Sequence, residues 1–279
     1  VIPRLVSALL RAMLVALLIA APSLLLVNTG ADTAQVVVVL AILASVLTFI
    51  EYYGRYPSFI EFRFAAPVNR LKFTALLITI VLLSLILRGQ TNPTGWTTAI
   101  TNLGDGLGRV MDFPYSPVRL VLLMLPPETD AQTISLIRTS AGIAYMVSFT
   151  MMFVFLSMVR LFDWPVRKGA FNVWINLPLF DPTRGDVLER LKRDASLNLV
   201  LGFLLPFFIP FAVNAASSTI DPLSLNHPQT LIWTITAWAF LPASLLMRGI
   251  AISRIAGLIE EKRRRAYAQH TDAKALQSA

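Results

Sequence analysis

Six apolar stretches, charged only near their ends, dominate this chain. They cover residues 5–27, 34–53, 71–87, 139–159, 197–220 and 230–247. A helix needs about 20 mainly apolar residues to cross a bilayer core. The sequence therefore predicts an all-α fold: a polytopic integral membrane helical bundle of about six transmembrane helices, with short interfacial amphipathic helices. The whole of 1–279 reads as a single membrane domain. Only 14% of the 279 residues are charged and 56% are hydrophobic, whereas soluble proteins carry about 25% charged residues. Too little polar surface remains to cover such a chain in water.

The charges set the expected topology. If both termini lie on one side, twenty of the 24 Lys and Arg fall on that side. Arg88, Arg109, Arg119 and Arg138 fall on the other. Two of the three segments on that other side have neither Lys nor Arg. The positive-inside rule then places both termini in the cytoplasm. The excess of Arg over Lys hints at a GC-rich bacterial genome, hence a bacterial inner membrane. The net charge of +8 follows from this topology and is not a nucleic-acid footprint. The basic start of the first stretch and Ala20-Ala21 also resemble a signal peptide; the expectation here is a retained transmembrane helix.

Between the spans lie an outside loop at 88–138, a cytoplasmic connector at 160–196 and a basic cytoplasmic tail at 254–279. The connector is the longest strongly basic segment. Trp164, Phe171, Trp174 and Phe180 within it suggest an interfacial aromatic belt. Asp181-Pro182 suits a helix start, and Val187, Leu188 and Leu191 give a short amphipathic surface helix. Phe59, Phe62 and Phe64, set among basic residues, suit a segment in the headgroup region. In the outside loop, Trp96, Ile100, Leu103 and Leu107 have helical spacing, although Gly104, Gly106 and Gly108 should weaken that helix. Val118–Leu125 is too short to span. An interfacial helix, a re-entrant helix and a helix packed on the bundle all fit it.

The chemistry available is narrow. There is no cysteine, hence no disulfide, thiolate metal site or cysteine nucleophile. The two histidines, His227 and His270, lie outside the spans. No phosphate-binding glycine loop, serine elbow or metal-ligand spacing occurs. No Lys or acidic residue lies at mid-membrane, which argues against a retinal site or a proton-coupled pump. Glu51 and Asp163 read as interface charges beside Arg55 and beside Arg160 or Arg167. The charged residues of the outside loop read as solvated. No cofactor is expected.

Three sets of residues remain as candidates. Ala8, Ala12, Ala16 and Ala20 form a ridge along which another helix can approach. Pro206 and Pro210 in the fifth span should free carbonyls near Gly202 and Pro206; with Asn198 and Asn214 they mark a kink or a substrate site of transporter type. Lys262, Arg263, Arg264 and Arg265 suit contact with anionic lipid. The leading expectation is a non-catalytic accessory, scaffold or assembly subunit of a larger membrane complex, with lipids and other membrane subunits as partners and no nucleic acid. The alternative is a transporter or channel for a small solute built on the fifth span. A lipid-acting enzyme ranks last, because no catalytic cluster is visible.

Overall fold

The computed structural model describes residues 2–26, 30–166, 173–176, 186–216 and 227–277. At 31, 32, 213–216 and 270–277 it describes the backbone alone. These residues form helices and no strand. The helices are α1 (Ile2–Leu25), α2 (Ala31–Tyr53), α3 (Val68–Thr91), α4 (Gly95–Met111), α5 (Pro117–Leu123), α6 (Ala131–Leu161), α7 (Val187–Ala216) and α8 (Pro228–Gln277). Six of them, α1, α2, α3, α6, α7 and α8, are long and apolar enough to cross a membrane.

Several helices outrun the apolar stretches that announced them. Hydropathy marks the depth of hydrocarbon, whereas backbone bonding continues through polar interfacial residues. The difference is largest at α7. The expected surface helix around Val187–Leu191 is not separate: it is the first part of α7, continuous with the span. Leu191 and Ala195 are buried with Ile252, Ile255 and Ala256 of α8. The α7–α8 pair therefore leaves the apolar zone as a two-helix stem.

The short elements close the opposite end of the bundle. Thr94 caps α4 and exchanges hydrogen bonds with Thr97, satisfying donors that a helix start leaves free. Gly104 and Gly108 do not unravel this helix. They let it lie directly on α6, where a Cβ at Gly142 would come 2.5 Å from the Cα of Gly108. Packing outweighs the roughly 1 kcal/mol propensity cost of each glycine. Ser116 caps α5 with Pro117 at its first position. Val118 and Val121 are buried as α5 packs on α6 and α7. The core between these elements holds Ile80, Leu83, Ile86, Ile137, Ile143 and Ile235.

Two aromatic residues expected at the interface are core residues instead. Trp164 is buried, lies edge-on to Phe155 at 5.2 Å between ring centres, and donates its indole N–H to the Ala66 carbonyl at 3.0 Å. Phe62 is buried beside it and takes a left-handed φ of 56°. That conformation is costly for a bulky residue and is held by burial of its ring. Phe171, Phe180 and Asp181-Pro182 lie outside the described residues.

Glu51 is also buried, and Arg55 is not its partner. Its carboxylate accepts the backbone N–H groups of Ser58 at 3.0 Å and Ile60 at 3.3 Å. Arg63 caps the end of α2 by donating to the carbonyls of Glu51, Tyr52 and Gly54. Asp163 pairs with Arg254 at 3.4 Å.

The six long helices alternate in direction. One end of the bundle, here the basic end, gathers the 54–67 loop, the 162–166 segment and the α7–α8 stem. The other end carries α4 and α5.

Candidate functional site

A dense polar constellation sits at the basic end and is centred on Arg248 of α8. Its Nε donates to Glu61 Oε2 at 2.7 Å and its Nη2 to Glu61 Oε1 at 3.0 Å. Its Nη1 lies 2.9 Å from Asp194 Oδ2 on α7. The fork thus holds one carboxylate bidentately and a second through its remaining nitrogen. Planar charge-assisted contacts of this kind are the strong class of hydrogen bond. The three side chains are only 16–19% exposed, so the pairing is shielded from water.

Each partner is held in turn. Glu61 accepts the Asn176 N–H at 3.0 Å, and its own carbonyl accepts from the Asn69 amide at 2.8 Å. The Asn198 amide donates to the Asp194 carbonyl at 2.7 Å and to its Oδ1 at 3.0 Å. Helix register brings the pieces together. Gly202 lies against Pro242 and Leu246, and Gly249 against Ala195 and Leu199. This close approach of α7 and α8 fixes Asp194 opposite Arg248.

The constellation floors a cavity of about 700 Å³ between the 59–62 loop, α3, α7 and α8. Lys72 on α3 also lines it. Leu197, Leu201 and Leu245 give it an apolar wall. The volume is in the range of small-molecule sites. Chemically the site can bind and orient; its two carboxylates are committed to a guanidinium. Among the described residues no group of three His, Asp or Glu could hold a metal ion.

A second charged group lies at the other end. Arg119 pairs with Asp112 at 2.8 Å, and Arg138 lies 3.8 Å from Asp112 and 3.9 Å from Asp105. This group ties α4, α5 and α6 together, so the loop charges are not simply solvated. Asp130 is the cap of α6, accepting the Thr133 N–H at 2.9 Å. That hydrogen bonding holds its carboxyl below the ordinary range.

The candidates read from sequence are dispersed. Ala8 and Ala12 are buried, while Ala16 and Ala20 line an apolar groove of about 570 Å³ between α1 and α2. Asn198 belongs to the cavity. Pro206 and Pro210 do not: they lie further along α7, where Trp238 of α8 donates its indole N–H to the Pro206 carbonyl at 3.1 Å. That carbonyl is the one Pro210 cannot bond. Asn214 is on α7, but its side chain is outside the described residues. Of the basic run, Arg263 is paired with Asp186, one contact being 2.9 Å, and Arg265 with Glu261. Lys262 and Arg264 are exposed.

Sequence reasoning missed Glu61, Lys72, Asp194 and Arg248 as a unit. The available signal was an acid before the fifth span and a base after the sixth, at the same end of consecutive helices. No family model matches the chain, and no curated protein or solved structure is similar to it.

Proposed function

We propose that this chain is a non-catalytic accessory, scaffold or assembly subunit of a larger membrane complex, with the α1–α2 hairpin as its docking arm. The observation that carries this reading is the isolation of α2. Among the described residues it packs on α1 and on no other helix. It is the most apolar of the six long helices and has the least of its surface covered. Val36, Val39, Leu40, Leu43, Leu47 and Ile50 all point outward. A helix attached along one seam contributes little to its own bundle, and lipid gives it no reason to stay there. A neighbouring membrane subunit packed on its other faces does. Arg248, Glu61 and Asp194 are bonded to one another and do not line a path across the bundle, which also suits a scaffold. The charge distribution supports an orientation with the basic end and both termini in the cytoplasm, and the excess of Arg over Lys suits a bacterial inner membrane. Transport built on α7 is the weaker reading, because Trp238 already occupies the Pro206 carbonyl that a solute would need.

The test is a photo-crosslinking residue at Val39, run in native membranes. The expected result is one discrete adduct with a second membrane protein. The control is Phe203 on α7, of similar exposure (63% and 65%), which should give lipid adducts only. Lipid adducts alone at both positions, with a lone particle in mild detergent, would overturn the proposal.

A further inference from the structure

We propose that the cavity between the 59–62 loop, α3, α7 and α8 is a phospholipid site in which Lys72 binds the lipid phosphate. This stands apart from the role proposed above and from the basic run at 262–265, and either can fail without the other.

The first observation is an uncommitted cation. Lys72 lines the cavity and is only partly exposed. Among the described residues its ammonium makes no hydrogen bond or ion pair. An ammonium carries three donors, and withdrawing it from water without a partner is costly. Glu61 acts on it electrostatically, but both Glu61 oxygens are already engaged by Arg248 and Asn176. The Asn198 amide gives both its donors to Asp194, and the Asn69 amide gives one of its two to the Glu61 carbonyl. Lys72 is thus the charged donor left over for a guest, and the guest must bring anionic oxygens.

The second observation concerns what else the guest must be. Arg248 with Glu61 and Asp194 sums to one negative charge, and Lys72 brings the cavity to neutrality. Such a cavity exerts little pull on a free inorganic anion. Affinity must come from apolar contact as well. The wall supplies it: Leu197 and Leu201 are 53% and 48% exposed on the outer side of α7, within a membrane-spanning helix. A phosphate at Lys72 leaves acyl chains to run along these leucines in the hydrocarbon. The cavity sits where the spans meet the basic end, which is headgroup depth. A phosphate on a diacyl tail satisfies both halves of the site.

The experiment uses the full chain, delipidated in a neutral detergent, with dioleoyl phosphatidylglycerol titrated in and bound lipid counted by native mass spectrometry. The unaltered protein should hold one lipid through collisional activation. Lys72→Met keeps the apolar stem and removes the charge, and should weaken that lipid about tenfold or more, the worth of a charged hydrogen bond. Lys72→Arg should restore it. Dioleoylglycerol, which lacks phosphate, should not compete, and neither should millimolar inorganic phosphate. Equal retention by Lys72→Met and the unaltered chain overturns the site. Displacement by inorganic phosphate overturns the lipid as its occupant. Loss of the tail charges in a Lys262→Gln/Arg264→Gln variant should leave the retained lipid in place; its loss there would move the site to the tail and overturn the assignment to Lys72.

Discussion

The α1–α2 hairpin and the α7–α8 pair are both antiparallel neighbours of similar apolar character, yet they are joined in different ways. In α7–α8 the backbones touch at Gly202 and Gly249. The pair is then laced by Asp194–Arg248 at 2.9 Å, Lys192–Glu260 at 2.8 Å, Asp186–Arg263, and the Trp238 bond to Pro206. In α1–α2, Ala41 meets Ala16 and Ala20 across a groove that stays open. Among the described residues, the polar contact between the two helices is Arg11 over the Tyr52 ring at 4.6 Å. Hydropathy alone does not separate the two pairs. What separates them is the presence of directional bonds, which cost a great deal to leave unmade away from water.

The hardest blow to this contrast is Arg248→Ala. It strands Glu61 and Asp194, and breaking a buried pair from one side costs about 3–5 kcal/mol. Arg11→Ala at the other hairpin should cost about 0.5–1 kcal/mol, the lower range for a cation–π contact. Unfolding midpoints in one detergent compare the two, and equal losses would erase the distinction. Next comes Gly202→Ala. Its Cβ would sit 2.8 Å from the Pro242 carbonyl oxygen, and overpacking of this kind costs about 1–3 kcal/mol. Ala16→Leu adds more bulk but faces open groove, so the same melt should move by less than about 0.5 kcal/mol.

A smaller effect should follow from Trp238→Phe. It keeps the ring and removes the donor to Pro206, for a loss of about 1 kcal/mol, readable by hydrogen exchange across 206–212. The smallest concerns the stem. The Arg263 hydrogen bond holds the Asp186 carboxyl below its ordinary range. A depressed carboxyl adds stability that is fully present above its ordinary pKa and is lost as pH falls through the lowered value. Exchange at 187–190 should therefore rise, relative to an Asp186→Asn variant, only on strong acidification; a difference that vanishes already near neutral pH would contradict the pairing.

The bundle was legible because each span is an uninterrupted apolar run, and such a run has one stable state in a bilayer. The ends of helices were not, because hydropathy falls at the interface while the helix continues, as at Val187. Gly104 and Gly108 were misread for a related reason: propensity is local, and their value lies in the surface of Arg138, Thr139, Gly142 and Ile143 that they meet. Trp164 and Phe62 looked interfacial from their basic neighbours, yet an aromatic ring near the surface can turn either way, and here the 54–67 loop covers both. The site was the least legible part. Asn198 was singled out on its own merits. Arg248, Glu61 and Asp194 each look like ordinary interface charges until helix register sets them side by side, and register is written in small residues at 202 and 249 that carry no charge at all.

Consider the order in which the ribosome delivers the Arg248 cluster. Glu61 and Lys72 emerge first, Asp194 much later, and Arg248 only after the sixth span is made. Until then two acids wait at the membrane surface without their shared partner, and α7 has no neighbour to bond its Pro206 carbonyl. Helix α8 is therefore the one that locks those before it.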